Sequence, residues 1–88
     1  MLFVTTTYTD NSEDLYFKEF WSEGVRANVP VDKAGFEAAF DEDGTLPVHM
    51  FTEETVKSLF ERHGFEQIHR QYYHYDDHHD VAEDIFAN

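Results

Sequence analysis

The chain has 88 residues, room for one domain that buries only about 60–65% of the surface its unfolded form exposes. Nine Phe, five Tyr and one Trp bring roughly 150–250 Å² of buriable surface each, which excludes a disordered acidic tail, and the lack of Cys excludes disulfides, thiolate metal sites and a cysteine nucleophile together. Six Lys plus Arg against nineteen Asp plus Glu give a net charge of −13, a field that repels nucleic acid and anionic membranes, attracts basic partners and keeps the chain soluble.

Met1 to Thr7 has no basic flank and no long apolar run, so it reads as neither a signal peptide nor a membrane span, and a cytoplasmic protein is expected. Residues 2 to 8 alternate Leu2, Val4, Thr6 and Tyr8 against Phe3, Thr5 and Thr7, which suits a first strand. Asp10 and Glu13 have capping-box spacing, and a helix is expected from there to about Glu23, with Phe17, Phe20 and Trp21 on its buried stripe and Gly24 as its terminator. Val25 to Val31 reads as an extended connector, because Pro30 disfavours helix at Val29.

Asp32 can cap a short helix with Phe36, Ala39 and Phe40 on one face, ending in the turn sequence Asp41-Glu42-Asp43-Gly44. Leu46, Val48 and Met50 alternate with Pro47, His49 and Phe51 as a second strand. Thr52 then caps a helix with Glu53 and Glu54 at the positive end of its dipole and Arg62 and His63 at the negative end. Its stripe is Val56, Leu59 and Phe60, and Gly64 fits the left-handed terminating position, with Phe65 folding back on Phe60. Glu66 to Tyr75 reads as a third strand. Asp76 to Asn88 reads as a closing helix with Val81, Ala82, Ile85 and Phe86 on a narrow stripe. The expected fold class is α+β: one domain over residues 1–88, about three strands and three to four short helices in the order β-α-α-β-α-β-α.

The stretch Leu46-Pro47-Val48-His49-Met50-Phe51-Thr52-Glu53-Glu54, with Leu59-Phe60 and His63-Gly64-Phe65-Glu66, resembles the C-terminal part of class I S-adenosylmethionine-dependent methyltransferases. There a strand ends in an aromatic-Thr-acid-acid step, a helix follows, and Gly-Phe-Glu turns into a late strand. Asp43-Gly44-Thr45 and Leu2-Phe3-Val4-Thr5-Thr6 look like the neighbouring late strands. The resemblance covers about a quarter of the chain well. It implies a remnant, one half of a split enzyme, or a shared strand-helix-strand unit. The family's cofactor glycines have no counterpart, because Gly24, Gly35, Gly44 and Gly64 are scattered, so no cofactor is expected on this chain.

His74-Tyr75-Asp76-Asp77-His78-His79-Asp80 carries metal-ligand chemistry, with His74, His78 and Asp80 as candidate ligands if the stretch is helical. The bland alternative is a solvated turn. Asp41-x-Asp43-Gly44 has part of a calcium-loop pattern, but aligning its glycine puts Ala39 and Met50 at ligand positions, so it reads as a turn. Ser12 and Ser58 lie on no nucleophile elbow, and no catalytic residue is assigned. The leading expectation is a non-catalytic acidic module, analogous in composition to small phage inhibitors, that occupies a basic, nucleic-acid-binding surface on a partner protein. It would do so through Asp41, Glu42, Asp43, Asp76, Asp77, Asp80, Glu83 and Asp84. A methyltransferase fragment or subunit and a small His/Asp metal-binding protein are the alternatives.

Overall fold

The computed structural model of the chain describes residues 1–76 and 79–88. Its elements are β1 (Leu2–Thr7), β2 (Leu15–Ser22), β3 (Val25–Pro30), α1 (Lys33–Ala38) running into a 3₁₀ turn (Ala39–Asp41), β4 (Thr45–Met50), α2 (Glu53–Glu61), β5 (Glu66–Asp76) and β6 (His79–Ala87). They pack as two compact units, one formed by Met1–Asp14 with Met50–Asn88 and the other by Leu15–His49. Among the described residues no helix is long and apolar enough to cross a membrane.

The expected β-α-α-β-α-β-α order is overturned. The described residues are mostly strand, in two three-stranded sheets with two α-helices. The helix expected before Glu23 is β2, and the connector Val25–Val31 supplies β3, its hairpin partner. Glu23 and Gly24 link them with φ of 51° and 78°. Two consecutive positive φ values make the mirror-image turn whose twist matches that of a hairpin, so Gly24 is a turn residue, not a helix terminator. The closing helix expected over 76–88 is β6. The Val81, Ala82, Ile85 and Phe86 spacing fits a helix, but on β6 it is Ala82, Asp84 and Phe86 that point inward together.

In the first unit β6 is the central strand, antiparallel to β1 on one side and to β5 on the other, so β1 and β5 run in the same direction. Leu2 faces Phe86 and Val4 faces Asp84 across one ladder; Arg70 faces Asp84 and Tyr72 faces Ala82 across the other. Helix α2 covers the face carrying Phe86, whose ring stacks on Phe60 at 4.7 Å. Burying such a ring fully stabilises the fold by about 1.5–3 kcal/mol. The helix stops as its sequence predicts: Phe65 N–H donates to Phe60 O at 3.0 Å, Gly64 N–H donates to Glu61 O at 3.1 Å, and Gly64 has φ 86°. On the opposite face, within this unit, Phe3 is 64% exposed and Tyr73 is 40% exposed.

In the second unit the strand order is β3-β2-β4, with α1 against β2. The Asp32 carboxylate caps α1 by accepting from Gly35 N–H at 2.7 Å. Tyr16 lies 5.2 Å from Phe36 and 4.5 Å from His49, a ring cluster that supplies much of the apolar packing. Glu19 is buried and paired with Arg26 at 2.7 Å, and the Arg26 guanidinium sits over the Trp21 ring.

Candidate functional site

A cavity of about 280 Å³ opens in the first unit at the carboxyl end of β1, where Tyr8, Thr9 and Asp10 leave the sheet beside the start of α2 and beside Arg70 and Tyr72 of β5. The backbone here is pinned. Tyr8 forms an isolated parallel bridge with Phe51, Thr9 N–H donates to Phe51 O at 3.0 Å, and Phe51 N–H donates to Thr7 O at 2.8 Å. Asp14 closes the loop from the far side: its Oδ1 accepts from Thr52 N–H at 2.9 Å and from the Thr55 hydroxyl at 2.8 Å. Thr52, itself buried, caps α2 by accepting from Thr55 N–H.

Beneath the cavity lies a charged network. The Arg70 Nη1 donates to Asp84 Oδ2 at 2.7 Å, its Nε donates to the Tyr72 hydroxyl at 2.9 Å, and Glu53 Oε2 lies 3.9 Å from that Nε. Gln67 takes the other Asp84 oxygen at 2.7 Å. Burial works against the Arg70 charge, but the hydrogen bond to Tyr72 and the field of Asp84 outweigh it and raise the guanidinium pKa. The rings of Tyr8 and Tyr72 pack 4.6 Å apart. Burial, followed by the charges of Asp10 and Asp80 and by Tyr72, raises the Tyr8 pKa against the opposing pull of Arg70.

The residues expected to bind do not gather here. Asp41, Glu42 and Asp43 lie exposed in the second unit, in a turn held by the Thr45 hydroxyl, which donates to Glu42 O at 2.9 Å and to Ala39 O at 3.2 Å; Glu42 is paired with Lys18 at 3.0 Å. Asp80 is exposed, Glu83 is half-buried on β6, and Asp84 is fully buried and unavailable to any partner. Asp76 ends β5; Asp77 and His78 lie outside the described residues. The helical geometry that would bring His74 and His78 to one face is overturned, because His74 belongs to β5, where it pairs with Asp80 across the ladder. Among the described residues no three metal-ligating side chains converge.

Sequence reasoning passed over Tyr8, Asp10, Arg70 and Tyr72. The available signal was Arg70, a cation two residues before Tyr72 and so on the same strand face. The comparisons with known proteins find no match: no family model fits the chain, and no curated protein or solved structure is significantly similar to it.

Proposed function

We propose that the chain forms the late, C-terminal part of a class I S-adenosylmethionine-dependent methyltransferase fold, shaping an acceptor-side pocket and working with a partner that carries the cofactor site. One observation carries the reading. Leu2–Thr7, which looks like a neighbouring late strand of that family, and Glu66–Asp76, the strand that Gly64-Phe65-Glu66 turns into, flank β6 in one sheet and run in the same direction, with α2 leading into the second of them, whereas Thr45–Met50, also part of the resemblance, pairs in the other sheet. The Phe51-Thr52-Glu53-Glu54 step opens that helix, and Gly64-Phe65-Glu66 turns out of it. Phe3, a large apolar side chain left 64% exposed on this sheet, lies on the face that a cofactor-bearing part would cover. The cysteine-free composition supports a cytoplasmic setting.

The test is purification of the tagged chain from its own cells, followed by ultraviolet crosslinking with radiolabelled S-adenosylmethionine. The expected result is a stoichiometric partner that takes up label. A partner that takes up none, or recovery of the chain alone, overturns the reading.

A second reading, an acidic module seated on a basic partner surface, is favoured by the exposed carboxylates of the Asp41–Asp43 turn. Its mark is association that slows as salt shortens the Debye length below about 8 Å. An on-rate unchanged in Asp41→Asn/Asp43→Asn and flat with salt removes it.

A further inference from the structure

We propose that the free edge of β1 pairs with the same edge of a second copy of this chain, antiparallel and centred on Phe3, so that two β1-β6-β5 sheets join into one of six strands. The inference concerns the edge of the sheet and stands apart from the methyltransferase reading, which concerns one of its faces. Hydrogen bonding fixes which groups are on offer. Tyr8 N–H points to β6, donating to Asp80 O at 3.3 Å, while Thr7 O and Thr9 N–H point the other way, to Phe51. Backbone direction alternates along a strand, so Phe3 and Thr5 also turn their N–H and C=O groups away from β6. Phe51 fills the edge beyond Thr7, and the open part is the stretch around Phe3 and Thr5, both exposed.

What the edge carries selects the occupant. Proteins guard sheet edges with charges, prolines and bulges. Among the described residues the other edge strands have such guards: β5 has Glu66, Arg70 and two register shifts, β3 has Arg26 and Pro30, and β4 has Pro47. Strand β1, Leu-Phe-Val-Thr-Thr-Thr, has none. In a chain of net charge −13, an uncharged edge is where two copies can meet without setting carboxylate against carboxylate. A two-fold axis pairs such an edge with itself. A second copy lying opposite Thr6 or Thr7 would run into the chain arriving at Phe51, so the pairing is confined to residues 1–5 and its axis falls at Phe3. The Phe3 N–H and C=O then exchange bonds with the same groups of the second copy, and the two rings meet on one face of the joined sheet, covering apolar surface that the single chain leaves open.

The experiment is sedimentation equilibrium of the full chain over a concentration and sodium chloride series. A monomer–dimer equilibrium is expected, with association strengthening as salt screens the repulsion between two acidic copies, opposite in sign to binding of a basic partner. Phe3→Lys sets like charges opposite each other at the axis and should weaken the dimer about 5-fold or more, although it lowers the net charge of each copy. Leu46→Lys makes the same charge change in the other unit and should not weaken it. The chain has no cysteine, so single cysteines read the register directly. Residues opposite each other in a hydrogen-bonded antiparallel pair have Cα atoms about 5.5 Å apart, within disulfide reach, and mild oxidation should link copies of Phe3→Cys but not copies of Thr7→Cys. A chain that stays monomeric at every concentration and salt, a dimer indifferent to Phe3→Lys, or crosslinking no better at position 3 than at position 7 overturns the proposal.

Discussion

Arg70 and Asp84 meet across β5 and β6 with a nitrogen–oxygen distance of 2.7 Å, and both are shut off from water: the Asp84 side chain is 0% exposed and that of Arg70 is 7% exposed. Such a pair gains little over a well-packed apolar pair, yet breaking it strands a charge in the interior. Gln67 on the second carboxylate oxygen and Tyr72 on Nε complete the hydrogen bonding that makes the burial tolerable.

Asp84→Ala should therefore lower stability by about 3–5 kcal/mol, a large part of what a small domain possesses. The double variant Arg70→Met/Asp84→Leu should lose distinctly less. Denaturant melts of the three proteins test this, and equal losses in the single and double variants would show that packing, not the stranded guanidinium, sets the cost.

The hairpin between β2 and β3 holds a non-glycine residue in left-handed backbone, Glu23 at φ 51°. Asn tolerates that region better and is favoured in this turn type. Glu23→Asn should stabilise the protein by about 0.5–1 kcal/mol, read as a higher denaturation midpoint at unchanged slope.

Phe86→Ala should cost about 3–5 kcal/mol, because it empties a fully buried position and removes the ring on which Phe60 stacks. Gly64→Ala should cost about 1 kcal/mol or more from its positive φ, since the added methyl group meets no heavy atom within 4 Å. The comparison separates a cavity effect from a purely backbone one.

Tyr8 contributes to how stability depends on alkaline pH. Its pKa is raised in the fold by burial, Asp10, Asp80 and Tyr72, so above the ordinary tyrosine value the unfolded chain releases this proton while the folded one keeps it. Stability should then fall as pH rises from the unfolded pKa toward the folded one. Melts at stepped alkaline pH should show a shallower fall in Tyr8→Phe, and the parent's phenol absorbance should show a late-ionising tyrosine that this variant lacks.

Elements defined by neighbouring residues were legible in the sequence. Helix α2 declares itself through Thr52, Glu53, Glu54 and Gly64, all of which act on their own backbone or dipole. Strands β2 and β6 were not legible in the same way. Phe17, Phe20 and Trp21 fit one face of a helix, and only the Glu23-Gly24 turn with its partner strand decides otherwise. On β6 the inward residue between Ala82 and Phe86 is a carboxylate whose partner lies 14 residues away, so the alternation of apolar residues is interrupted where a salt bridge replaces it. The cavity was hidden for a related reason: its walls come from residues 8–12, residues 52–54, Arg70 and Tyr72, which only the fold assembles.

The Asp14 carboxylate has a consequence for how this gene can change. The chain leaves the first unit at Asp14 and re-enters it at Met50, and Asp14 holds the Thr52 backbone while Phe51 is laced to Thr7 and Thr9. Exit and return are thus stitched side by side, so that Leu15–His49 is an insertion between two parts of the first unit. Because the entropy of closing a loop grows only slowly with its length, lengthening the Leu15–His49 segment should add little to the closure cost that the first unit bears.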